Sequence, residues 1–108
     1  MAIDIDSHEP RLSFGRGGLT GPAVRPIVMR LVYDAAQAID IPVIASGGAT
    51  TWHDVVEFML AGASAVQAGT VNFVNPQASV EMADGLASYC QHHAIDSLAQ
   101  LVGAAKMP

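Results

Sequence analysis

The chain has 108 residues, 51% of them apolar and only 14% charged, with a formal net charge of −5 at pH 7. That length suits one small domain with a real core, residues 1–108, and the apolar content excludes a disordered chain. Five Lys and Arg against ten Asp and Glu leave no basic stripe to follow a phosphate backbone, which excludes nucleic acid as the main partner.

No apolar stretch approaches the roughly 18 residues needed to cross a bilayer, so no membrane span is expected. The amino terminus lacks a charged region followed by an apolar one, and the single cysteine, Cys90, rules out an intrachain disulfide framework. The expectation is a cytoplasmic protein in a reducing compartment. With so few charges, much of its exterior is expected to lie against another polypeptide or against further parts of the same one.

Residues 1–17 are polar and punctuated by Pro and Gly, and suit either a short hairpin or a loop. Gly17-Gly18-Leu19-Thr20-Gly21-Pro22 reads as a tight turn, with Pro22 or Pro26 fit for the first turn of a helix. From Ile27 to Ile39, the apolar positions Ile27, Val28, Leu31, Val32, Ala35, Ala36 and Ile39 recur at helical spacing. Pro42 then opens a strand over Val43–Ser46. Thr51 is an N-cap candidate with Asp54 at the capping-box position, and that helix runs to about Ala61 with Gly62 as its stop. A second strand follows over Ala65–Ala68, then a helix from about Val80 to His92 and a short one from Ser97 to Ala104. Strands alternating with helices predict an α/β fold with parallel pairing, and two strands are too few to close a barrel.

Both strands end in glycine: Gly47-Gly48 after the first, Gly69-Thr70 after the second. In parallel α/β folds the carboxyl ends of strands form the ligand-binding edge, and the last two strands of (β/α)8 barrels often carry a phosphate site. A residue without a Cβ lets backbone N–H groups approach a phosphate closely. Gly47-Gly48 taken alone is equally well a turn that needs positive φ. Its repetition one βα unit later favours phosphate contact.

The segments Gly17-Gly18-Leu19-Thr20-Gly21-Pro22-Ala23-Val24-Arg25-Pro26, Ile41-Pro42-Val43-Ile44-Ala45-Ser46-Gly47-Gly48, Ala61-Gly62-Ala63-Ser64-Ala65-Val66 and Gly69-Thr70-Val71-Asn72-Phe73 occur in that order. Together they resemble class 1 dihydroorotate dehydrogenases, most of all the NAD-linked 1B catalytic subunits. The resemblance implies the carboxyl-terminal portion of an FMN-binding (β/α)8 TIM barrel, a flavin oxidoreductase that converts dihydroorotate to orotate in pyrimidine synthesis. It also implies that Gly21 contacts FMN and that Gly47, Gly48, Gly69 and Thr70 hold its phosphate. The implied partners are the remainder of the barrel or a second copy, and an electron-transfer subunit carrying FAD and an iron–sulfur cluster. The family's cysteine base, flavin-side lysine and orotate-binding asparagines have no counterpart among these residues, so no catalytic residue is assigned and the isolated chain is expected to be inactive.

Two other readings compete. One is a self-associating half-barrel that binds FMN or another phosphorylated ligand without catalysis; the other is part of a different FMN-dependent barrel oxidoreductase, such as a dihydropyrimidine dehydrogenase. The remaining residues read quietly. Cys90 is expected to pack within a helix, and Trp52 to cover the outer edge of the barrel. Arg25 and Arg30 are expected to serve surface solubility, and Asp34, Asp40, Asp54, Glu57, Glu81 and Asp84 to form a solvated face. His8, His53, His92 and His93 have no partners at metal-ligand spacing, and no metal site is assigned.

Overall fold

A computed structural model describes all 108 residues. Pro22 opens a single 3-10 turn over Pro22–Val24, and Pro26 is the second residue of helix α1, Arg25–Ala38. Both prolines therefore stand where a missing N–H costs nothing. Strand β1 spans Val43–Ser46 and helix α2 spans Trp52–Ala61. Gly62 ends α2 with φ at 122°, its N–H donating to the Met59 carbonyl at 2.9 Å. Strand β2, Ala63–Gln67, runs parallel to β1, with Ile44 opposite Ala65 and Ser46 opposite Gln67. A 3-10 turn over Thr70–Phe73 leads into helix α3, Ala78–His92.

Small residues let the layers close. Ala45 of β1 and Ala63 of β2 are fully buried under Phe58 of α2 and Val32 of α1. The opposite face of α2 presents Val55 and Met59 to Ala78 and Met82 of α3 and to Leu101. Helix α2 is thus packed on both sides and is the mechanical centre of the chain.

The amino-terminal end takes one of its expected forms, and the carboxyl-terminal end does not. Residues 1–17 form a hairpin-like arm with one antiparallel bridge, Ile3 to Pro10, and Pro10 has no N–H with which to extend the ladder. Its turn is held by the Asp4 carboxylate, which accepts from the N–H groups of Ser7 and Asp6 and from the Ser7 hydroxyl; these bonds hold its pKa below the usual 3.8. At the other end the expected helix over Ser97–Ala104 is a single 3-10 turn, Leu98–Gln100, capped by the Ser97 hydroxyl. Gly103 takes φ of 72°, and the tail spends its donors elsewhere. Gly103 N–H reaches the Met59 carbonyl at 3.0 Å and Ala105 N–H the Leu60 carbonyl at 3.1 Å, satisfying the open end of α2.

Trp52 lies in the helix layer, stacked on His53 and facing Tyr89, and its ring rests on the backbone of α3 at Gly85. This matches the expectation for its placement. A methyl group at Gly85 would overlap the indole. The substitution Gly85→Ala is therefore expected to cost about 1–3 kcal/mol by overpacking. Because Trp52 is the only tryptophan, its emission would shift to the red. Unchanged emission with unchanged stability would show that the ring does not depend on this contact.

The chain is elongated. Its radius of gyration is 16.9 Å, whereas about 13 Å is usual for a closed domain of this length. The sheet has only two strands, so each has an edge with no neighbour, and Ile44, Ile27 and Leu31 are about 60% exposed.

Candidate functional site

Helix α1 supplies a platform for the turn that leaves β1. Gly21, Gly47 and Gly48 all have positive φ, at 87°, 147° and 80°. A Cβ on Gly47 would lie 2.8 Å from Val28, and one on Gly48 would lie 2.8 Å both from Arg25 Cβ and from the Gly21 carbonyl oxygen. The turn therefore lies flat on the amino-terminal end of α1, and packing alone demands glycine at 47 and 48. Gly69 is different. Its φ is −109°, and a Cβ there would meet nothing within 4 Å. No neighbouring atom excludes a side chain at that position.

One carboxylate holds the first turn. Asp54 Oδ2 accepts from Thr50 N–H at 2.8 Å, Thr50 Oγ1 at 2.8 Å and Thr51 N–H at 3.0 Å, while its Oδ1 pairs with Arg25. Asp54 is 5% exposed, and Arg25 also reaches Glu57 at 3.3 Å. The expected capping role of Asp54 is present, but its place on a solvated face is not. Its carboxylate points inward because two backbone donors and a guanidinium converge there. Arg25 is likewise corrected: it is a clamp between α1 and α2 rather than a solubilising side chain. Arg30, paired with Asp34 at 2.6 Å and largely exposed, keeps the surface role expected of it.

The second turn is braced by Asn72. Its Nδ2 donates to the carbonyl oxygens of Ala68 at 2.8 Å and Gly69 at 3.1 Å, which ties the 3-10 turn back to the end of β2. Neither Asn72 nor Arg25 carries a signal of this role in the sequence. The Thr51-x-x-Asp54 spacing did point to Asp54.

Between the two turns lies an open cleft of about 580 Å³, a size typical of small-molecule sites. Gly21, Gly47, Gly48, Gly69 and Thr70 all line it, so the structure brings the five expected residues to one place. The N–H groups of Gly47, Gly48 and Gly69 donate to no acceptor within the chain. Unpaired backbone donors need a partner from solvent or ligand. No charged side chain lines the cleft, so any anion there is met by amide dipoles and hydroxyl groups. Cys90, half-buried beside Met82 and Leu101 in the second core, stands outside the cleft, as do Trp52 and all four histidines.

The family description for dihydroorotate dehydrogenase matches residues 1–90 of this chain. The chain belongs to the dihydroorotate dehydrogenase family. It is 50% identical over 104 residues to the catalytic subunit of dihydroorotate dehydrogenase B (NAD(+)) from Parabacteroides distasonis, covering 96% of this chain and 34% of that protein. The corresponding subunit of Bacteroides fragilis is 47% identical over the same coverage. The chain thus spans about a third of the length of the curated relatives it matches, their carboxyl-terminal part. Among solved structures, the Eimeria tenella dihydroorotate dehydrogenase in complex with ferulenol superposes with a TM-score of 0.77 at 25% identity. That superposition covers 97% of this chain and 29% of that one. The two parallel strands and their helices therefore have the fold of part of a TIM barrel of this family.

Proposed function

We propose that this chain is the flavin-phosphate-binding part of a dihydroorotate dehydrogenase, a cytoplasmic enzyme of pyrimidine biosynthesis that oxidises dihydroorotate to orotate. The cofactor is FMN, with its phosphate held by Gly47, Gly48, Gly69 and Thr70 and with Gly21 against the flavin. One observation carries this reading: in a chain of this family, three unpaired N–H groups and the space left by Gly69 face one cleft. The residues present suit a phosphate ester, because amide donors need no counter-charge to bind an anion at close range. When bound, FMN would supply the hydride acceptor. The chain's own residues bind and orient; they do not move protons. No Asp, Glu, His, Cys or Lys lines the cleft, so no group is in reach to act as a general base at neutral pH.

Support for the partners comes from the same facts. The open sheet edges call for the remainder of the barrel, and the relatives' designation as catalytic subunits favours a separate electron-transfer subunit with FAD and an iron–sulfur cluster. The direct test is to add FMN to the purified chain, remove the excess by gel filtration and record the visible spectrum. Flavin bands that co-elute with the chain support the assignment of the cup. If FMN also fails to bind once the barrel is completed, the assignment is wrong. The isolated chain is expected to show no dihydroorotate oxidation with or without FMN, and turnover above the uncatalysed rate in an orotate absorbance assay would overturn that expectation.

A further inference from the structure

A cleft lined by amides attracts an anion only when its peptide planes face the right way. In a trans peptide the N–H and the C=O point in opposite directions, and the chain contains no cis bond. Turning one plane over would replace a partial positive charge by a partial negative one. No charged side chain lines the cleft to offset such a reversal. At the first turn packing sets the planes, because Gly47 and Gly48 lie against Val28, Arg25 and the Gly21 carbonyl. The second turn has no such platform: no atom stands within 4 Å of a Cβ built on Gly69.

Asn72 supplies what packing does not. Ala68 and Gly69 lie between the end of β2 at Gln67 and the 3-10 turn that starts at Thr70, outside any strand ladder. The Gly69 carbonyl oxygen accepts from the Asn72 N–H at 3.1 Å and from Asn72 Nδ2 at 3.1 Å. The Ala68 carbonyl oxygen has no backbone donor, and its one partner in the chain is Asn72 Nδ2 at 2.8 Å. The plane that carries this oxygen carries the unpaired Gly69 N–H on its opposite side. Two carbonyl acceptors also fix which end of the Asn72 amide faces them, since only its nitrogen can donate. Its Oδ1 faces the Ser79 hydroxyl of α3 at 3.5 Å. Asn72 is half-buried and does not line the cleft, whereas Gly69 and Thr70 do.

We infer that Asn72 is the positioning residue of the proposed phosphate cup. By holding the Ala68 and Gly69 carbonyl oxygens behind the second turn, it aims the Gly69 N–H into the cleft and keeps both oxygens out of it. It acts through Gly69 and touches no ligand. The inference rests on the flavin-phosphate reading above and adds the residue on which the second turn's affinity depends. Hydrogen bonds to a charged acceptor are about twice as strong as neutral ones. A misdirected Gly69 N–H therefore weakens the hold on a phosphate far more than the hold on an uncharged ring system.

The test compares FMN with riboflavin, which lacks the phosphate, by fluorescence titration of the completed barrel. Asn72→Leu removes the donor and keeps most of the side-chain volume; Asn72→Ala removes both. For each variant that folds, FMN affinity is expected to fall at least about tenfold, as for one lost charge-assisted hydrogen bond, while riboflavin affinity stays within about threefold. The phosphorus NMR resonance of FMN at saturation is expected to move from its position in the parent, which a purely structural role would leave in place. Equal losses for the two flavins overturn the inference, as does an unchanged FMN affinity or an unmoved resonance. Failure of both variants to fold overturns it too, and makes Asn72 a support of the fold. If the parent itself holds FMN no more tightly than riboflavin, the phosphate cup falls and takes the inference with it.

Discussion

Replacing Asp54 by Ala is expected to lower the stability of the chain by about 2–3 kcal/mol, more than the loss of an ordinary helix cap and less than the breaking of a fully buried ion pair, because the Arg25 left behind is partly exposed. Three hydrogen bonds and the Arg25 pair all end on this carboxylate, and Asp54 itself is 5% exposed. Against a total stability of about 5–15 kcal/mol for ordinary domains, a loss of that size is a large fraction. The Asp54→Asn variant keeps an oxygen for Thr50 and Thr51 but loses the charge facing Arg25, and is expected to cost less. Pairing Asp54→Ala with Arg25→Met separates the two contributions. If the clamp acts as a unit, the double variant is less damaged than the sum of the singles by more than about 1 kcal/mol, the coupling expected of residues in contact. Urea unfolding followed by helical circular dichroism measures the parent and the four variants. A loss below 1 kcal/mol for Asp54→Ala would mean that the first turn is held by glycine packing rather than by the carboxylate.

The contrast between Asp54 and its neighbours shows what a single sequence can reveal. Helical spacing placed α1 because a buried face repeats every three or four residues, and Val32 is where that period put it, while α2 was legible from its cap at Thr51 and Asp54 and its stop at Gly62. The glycine turns were legible for the same reason: a residue without a side chain after an apolar run marks a backbone that must do something unusual. The roles of Arg25 and Asn72 were not legible, because each depends on a partner brought close only by folding. Arg25 meets Asp54 from 29 positions away, and nothing in its own surroundings distinguishes it from Arg30, which stays in solvent. The tail misled for a related reason. Its apolar residues have helical spacing, but the carbonyls left open at the end of α2 take the donors of Gly103 and Ala105. A tertiary hydrogen bond there outweighs a weak local preference.

Gly69 offers the sharpest test of the cup, because no packing neighbour inside the chain accounts for its glycine. Gly48→Ala would place a methyl group 2.8 Å from the Gly21 carbonyl oxygen at a φ of 80°. It is expected to cost about 2–4 kcal/mol from strain and overlap together. A variant that destabilised would lose flavin whether or not Gly48 touches phosphate, so it cannot discriminate. At Gly69 the φ is negative and no atom stands within 4 Å of an added Cβ, so Gly69→Asp is expected to cost less stability than Gly48→Ala. In the completed barrel the same substitution would place a carboxylate in the cleft proposed above for the phosphate. Like charges at such separation in a partly enclosed site repel by several kcal/mol. The affinity for FMN is expected to fall at least about 100-fold, equivalent to about 2.7 kcal/mol. Riboflavin, which lacks the phosphate, should lose far less. Fluorescence titration with the two flavins provides the comparison, and urea unfolding the control. Equal losses for both would mean that Gly69 lies against the ring system or supports the fold. An unchanged FMN affinity would mean that the phosphate sits elsewhere, leaving the open space at Gly69 without a ligand.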